Sequence, residues 1–239
     1  MRSDDRSAAE LRPVNIVPGF LRHPEGSALI SCGHTRVLCS AMWVSDVPPW
    51  MKQQKVPGGW ITGEYAMLPA ATAERGRRDS LKPNGRSLEI QRLIGRCLRA
   101  AVDLKKFGPR TLYVDCDVLD ADGGTRCASV TGAMVAVEMA VAALMANGTL
   151  TENPIRQRIA AVSVGSVGGE NLLDLCYEED VRADVDMNVV MTADGRLVEV
   201  QATAEGEPFP VGQFDALLAL AKGGIQQLII AQQDALPHP

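Results

Sequence analysis

Apolar residues recur along this chain in two rhythms. Leu112, Val114, Cys116 and Val118 alternate with Tyr113, Asp115 and Asp117, which predicts a strand over residues 111–118 with one acidic face. Shorter apolar runs at 14–17, 28–32, 35–43, 60–67, 159–167, 172–176, 187–192 and 197–201 also read as strands. Gly33-His34 and Asp194-Gly195 supply tight turns between two of the pairs. Ile90, Leu93, Ile94, Cys97, Leu98, Ala101 and Val102 repeat at helical spacing, with Glu89, Arg92, Arg96, Arg99 and Asp103 opposite and Ser87 as the expected N-cap. Residues 127–147 are apolar nearly all round, so this helix should be central and buried. A last helix is expected over 211–232. The stretches 47–59 and 70–86 read as loops, the second exposed and rich in arginine.

Strands, helix, strand, helix, strands and helix in that order predict an α+β domain over residues 1–235. It should have two loosely similar strand-rich halves backed by helices, followed by a disordered tail at 236–239.

Composition narrows the chemistry. Hydrophobic residues make up 46% of the 239 residues and aromatics only 4%, so the core must be aliphatic. No run of about 18 apolar residues suggests a membrane span, and the N-terminus is polar, so a cytoplasmic location is expected. The six cysteines form no Cys-x-x-Cys pair and should be buried thiols. Three histidines give little support to a histidine triad or a zinc site. The net charge of −5 hides an asymmetry: residues 75–110 hold eleven Lys/Arg against three acids, a local +8 in an otherwise acidic chain. Such a segment suits a polyanion, or is a solvated helix face.

Two short stretches carry candidate chemistry. Asp120-Ala121-Asp122-Gly123-Gly124-Thr125-Arg126 lies between the strand at 111–118 and the buried helix. A glycine pair lets backbone approach a ligand, and a helix N-terminus with an adjacent arginine favours an oxyanion. A tight turn with a solvated arginine is the competing reading. The second stretch holds five acids within residues 178–186, among them Asp180 and Asp186. Paired carboxylates suit a Mg²⁺ or Mn²⁺ ion or general acid–base work, and a solvated acidic loop is the alternative.

Blocks along nearly the whole chain resemble the ribonuclease PH family of phosphate-dependent, tRNA-trimming exoribonucleases. They include Met1-Arg2 with Arg6, Leu11-Arg12-Pro13, Glu25-Gly26-Ser27, Val47-Pro48-Pro49 and Met67-Leu68-Pro69. The run from Glu89 to Arg96, the run from Asp115 to Arg126, Val185-Asp186-Met187-Asn188 and the run from Gln201 to Gly206 also match. The resemblance implies a fold related to the second domain of a small-subunit ribosomal protein and a ring-shaped homo-hexamer built as a trimer of dimers. It implies removal of 3′-terminal nucleotides from tRNA precursors, with inorganic phosphate as co-substrate and nucleoside diphosphates as products. By the same resemblance Arg86, Gly124, Thr125 and Arg126 bind phosphate, Asp180 and Asp186 hold the metal and act with Arg126 in catalysis, and Arg75, Arg77 and Arg78 contact RNA. The basic helix face adds Arg92, Arg96 and Arg99 as expected RNA contacts. Ala70 stands where an arginine usually opens the basic loop, which removes about one phosphate contact. A non-catalytic RNA-binding subunit of an exosome-like ring is the alternative, although such a subunit should have lost these arginines or acids.

Overall fold

The computed structural model describes residues 2–77 and 84–236; Arg78 and the tail residues 237–239 lie outside the described residues. Strands β1 (Val14–Pro18), β2 (Gly26–Cys32) and β3 (Thr35–Val44) form an antiparallel meander. Strand β5 (Thr111–Asp120) continues it antiparallel to β3, and β4 (Trp60–Met67) lies parallel to β5 at the edge. A parallel neighbour needs a crossover, and helix α2 (Gly85–Ala101) lies between them in the chain. The second half is a four-stranded antiparallel sheet ordered β7-β6-β8-β9, made of β6 (Ile159–Val167), β7 (Glu170–Leu173), β8 (Val185–Thr192) and β9 (Leu197–Ala204).

Helix α3 (Thr125–Ala146) packs on β2 and β3 on one side and on β6 on the other, so it joins the two sheets through one core. This explains its all-round apolarity: Val130, Ala133, Met134, Val137 and Ala140 are fully buried. By length and composition α3 could cross a membrane, as could α5 (Val211–Ala235), but most of α3 is inside this core. The fit against β2 is close. A Cβ on Gly26 would stand 1.9 Å from the carbonyl oxygen of Ala136. Helix α5 covers the second sheet with Leu217, Ala221, Ile225 and Leu228. Its fully buried Gln232 donates from Nε2 to the carbonyls of Thr131 (2.8 Å) and Ile159 (2.9 Å), tying α5 to α3 and β6.

Several boundaries differ from the sequence pattern for local reasons. Helix α2 begins two residues before Ser87, because the Asn84 side chain accepts the Ser87 N–H at 2.8 Å and serves as N-cap. Arg86 therefore lies in the first turn of the helix. The predicted loop at 47–59 contains a short helix α1 (Pro49–Gln54), started by proline at its first position and stopped by Lys55 in the left-handed region. The acidic stretch also holds a helix, α4 (Tyr177–Asp180). At the C-terminus Leu236 packs partly buried against the core rather than joining the expected tail.

Candidate active site

The glycine pair bends the chain from β5 into α3. Gly123 and Gly124 have φ of +74° and +64°, a region where a Cβ is strained. Space excludes a side chain as well, since a Cβ on Gly123 would lie 2.6 Å from the Leu175 carbonyl oxygen. The turn thus lies directly against the chain that leads into α4. Asp122 fastens the contact by accepting the Tyr177 N–H at 3.2 Å with Oδ1. Gly124 is the N-cap of α3 and supplies no side chain, so the first N–H groups of a 22-residue helix have no side-chain cap. The Tyr65 hydroxyl and Thr125 Oγ1 stand 2.9 Å apart and hold the first residue of α3 from the first sheet.

These contacts bring residues from both halves around one cavity of about 300 Å³. Arg86, Gly124, Thr125 and Arg126 line it on one side. Asp180 from α4, with Asp186 and Asn188 from β8, faces them. Ser163, Thr203 and Glu205 complete the lining. The wall is therefore electropositive at the helix terminus and acidic opposite.

The acidic wall is electrostatically strained. Burial pushes the Asp186 carboxyl up to about 6; the charge of Asp180 adds to the shift, and Arg126 opposes it. The Asn188 amide donates to Asp186, 3.2 Å from Oδ2. Two carboxylates with Thr203, Asn188 and Glu205 nearby form an oxygen-rich donor set of the kind that suits Mg²⁺ or Mn²⁺. Among the described residues no group of three or more His, Cys, Asp or Glu is placed to hold a metal ion.

The chain's first residues brace this site, and the hydrophobic pattern gave no sign of it. Arg2, Arg6 and Arg12 are buried although they lie in a polar segment. Arg2 pairs with Glu179 through Nε–Oε1 (2.7 Å) and Nη2–Oε2 (2.8 Å), and also reaches the carbonyls of Leu173 and Asp174. Arg6 donates to the carbonyl of Asp174. Arg12 clasps the Asp174 carboxylate and donates to the carbonyl of Asp122. The clue available was in the spacing of these arginines within the family-like blocks, not in apolar periodicity.

The family models confirm the outline. The first domain of the 3′ exoribonuclease family matches residues 10–142 and the second matches residues 157–224. The chain belongs to the ribonuclease PH family of 3′ exoribonucleases. Two relatives named Ribonuclease PH show how near it lies. That of Neisseria meningitidis is 53% identical over 97% of this chain and 96% of its own length; that of Solibacter usitatus is 55% identical over 99% of each. The Archaeoglobus fulgidus exosome with RNA bound to its active site is similar in structure, with a TM-score of 0.78 and 26% identity over 96% of this chain and 91% of that one. Rice Rrp46 shares the fold, with a TM-score of 0.80 and 16% identity over 99% of this chain and all of its own.

Within this family fold the predicted RNA contacts fall into three groups. Arg75, Arg77 and Arg92 are exposed. Arg96 is engaged by Glu199, its Nε donating to Oε2 at 3.1 Å, and Arg99 donates to the Ile61 carbonyl at 2.9 Å while lying 4.4 Å above the Trp60 ring. Arg96 and Arg99 therefore both have intramolecular partners, Arg96 in an exposed ion pair with Glu199 of the second sheet and Arg99 on strand β4. Arg78 lies outside the described residues. All six cysteines are free and buried.

Proposed function

We propose that this chain is a phosphorolytic 3′-to-5′ exoribonuclease that trims the 3′ ends of tRNA precursors with inorganic phosphate and releases nucleoside diphosphates. One observation carries the site assignment: Arg86 and the Gly124–Arg126 turn share a cavity with Asp180 and Asp186. Phosphate binds between the uncapped N–H groups of α3 and the guanidinium groups of Arg126 and Arg86. One of its oxygens attacks the phosphorus of the terminal phosphodiester. The bond from that phosphorus to the 3′ oxygen breaks, the proton of hydrogen phosphate passes to the departing 3′ oxygen, and the terminal nucleotide leaves as its diphosphate. Negative charge grows on the phosphoryl oxygens during the attack, and the two arginines and the helix terminus are already in place to stabilise it. No base is required, since the nucleophile is anionic at neutral pH. Asp180 and Asp186 would hold a Mg²⁺ or Mn²⁺ ion, which supplies further neutralisation of phosphoryl charge.

Arg75, Arg77 and Arg92 would draw the RNA backbone toward the cavity by phosphate contacts that carry no sequence information. A homo-hexamer and a cytoplasmic location complete the proposal. The kinship with exosome ring subunits supports the first, and six reduced cysteines support the second. The test is to incubate a 3′-extended tRNA with the purified protein and Mg²⁺, with and without inorganic phosphate. Nucleoside diphosphates that form only with phosphate are expected. Monophosphates formed without it would make the enzyme a hydrolase, and no product in either case would favour a non-catalytic RNA-binding subunit.

A further inference from the structure

Arg126 is held along one corner of its guanidinium. Nη1 donates to Gln201 Oε1 at 2.9 Å and lies 3.4 Å from Glu89 Oε1, while Nε and Nη2 have no protein partner among the described residues. Gln201 stands on β9, outside the cavity lining. Its amide is oriented by two acids: Nε2 donates to Glu89 Oε1 at 3.3 Å and to Glu199 Oε1 at 3.1 Å. A carboxylate only accepts, so the nitrogen must face Glu89 and Glu199 and the oxygen must face Arg126. Glu199 is fixed in turn by the ion pair with Arg96. A single bonded line thus runs from Arg96 on the surface through Glu199 and Gln201 to Arg126.

We propose that Gln201 is a positioning residue for the anion site, turning Arg126 so that its Nε–Nη2 edge faces the cavity for a two-point grip on an oxyanion. That edge presents two parallel donors, the arrangement that matches phosphate oxygens. A neutral amide suits this task. It orients the guanidinium as an acceptor would, and adds no second negative charge to the ion pair that Nη1 already makes with Glu89 at 3.4 Å. A glutamate at the same place would compete with the incoming anion. Glu199 acts one step further out, by holding the amide of Gln201 in the useful sense. The inference rests on the reading that Arg126 binds inorganic phosphate.

The experiment compares Gln201→Leu, Gln201→Glu, Glu199→Gln and Arg126→Ala with the full-length protein. It measures KM for inorganic phosphate, KM for the RNA 3′ end, kcat and melting temperature. Gln201→Leu is expected to raise the phosphate KM about tenfold while the RNA KM and melting temperature stay near their starting values. Gln201→Glu should raise it as well, by competition for the guanidinium. Glu199→Gln should raise it about threefold. An unchanged phosphate KM in Gln201→Leu, with a raised one in Arg126→Ala, would overturn the positioning role and leave the phosphate site intact. An unchanged phosphate KM in Arg126→Ala would instead overturn the site reading itself. Equal rises in both KM values with a lower melting temperature would make Gln201 merely structural and overturn the proposal. Should Gln201→Leu not fold, Glu199→Gln decides: a threefold rise confined to phosphate supports the role, and no rise overturns it.

Discussion

Arg12 grips Asp174 at two points, Nη2 to Oδ1 at 2.6 Å and Nε to Oδ2 at 2.9 Å, while Nη1 donates to the carbonyl of Asp122. Asp174 lies in the second half just before α4, and Asp122 opens the glycine turn of the first. One buried side chain therefore sets the separation of the anion-binding turn from the helix that bears Asp180. Asp174 itself has φ of +56°, a conformation the surrounding bonds must hold in place.

The glycine turn should tolerate no side chain. In Gly123→Ala the Cβ would meet the Leu175 carbonyl at 2.6 Å with φ already at +74°, so the turn and the start of α4 must separate. The expected outcome is a loss of about 2 kcal/mol or more in urea unfolding, together with most of the phosphorolytic activity.

Removing the metal, or either acid, should stop the reaction without unfolding the protein. EDTA is expected to abolish diphosphate release, and excess Mg²⁺ or Mn²⁺ should restore it. Asp180→Asn and Asp186→Asn should each lower kcat by about a hundredfold or more. Because Asp186 is buried beside a like charge, Asp186→Asn should also melt no lower than the parent in EDTA. A lower melting temperature would show that the pair is structural.

The N-terminal brace should be sensitive to acid. Burial pushes the Glu179 carboxyl upward, but the Arg2 guanidinium and the Cys176 N–H outweigh this and hold it below the usual carboxylate range. A carboxyl lowered on folding contributes stability above its unfolded range, near pH 4.5, and loses it as pH falls through the folded value. Arg2→Met removes the main partner of a buried carboxylate, leaving it only Arg6 at 3.8 Å and the Cys176 N–H, and should cost about 2–4 kcal/mol at pH 7. The gap between parent and variant should narrow as unfolding is repeated below pH 4.5. A constant gap would mean that Arg2 acts only through the carbonyls of Leu173 and Asp174.

The basic segment should separate into two kinds of arginine. Arg75→Ala and Arg77→Ala should each weaken RNA binding and lower the slope of log K against log salt by about one. Arg99→Ala should leave that slope unchanged and cost about 1–2 kcal/mol of stability, through loss of the Trp60 contact and the Ile61 hydrogen bond. Fluorescence anisotropy at four salt concentrations, with thermal melts of each variant, distinguishes the two.

Much of this was legible in the sequence because periodicity reports burial. The all-round apolarity of α3 announced a helix covered on both sides, and the alternation at 111–118 announced a strand with one polar face. The glycine pair announced a bend that no other residue accepts. What stayed hidden was polar and non-local. Arg2 and Arg12 find their partners more than 160 residues away, and no local pattern encodes such a pairing. The ion pair of Arg96 was hidden for the same reason: its partner Glu199 belongs to a strand about a hundred residues on. The short helices at 49–54 and 177–180 were hidden because one or two turns leave too few residues to show a period.

The brace has a further consequence for how the enzyme comes into being. As the chain is synthesised, residues 2–12 and the basic segment are made long before Asp174 and Glu179, the groups that Arg2 and Arg12 bind. Contacts spanning this much sequence form late, after the loops between them have closed. A nascent chain can thus display its positive segment while it has neither α4 nor β8, and hence no acidic wall. Cleaving power would be withheld until residues 174–205 have been made, when Arg2 and Arg12 meet partners that follow them by more than 160 residues.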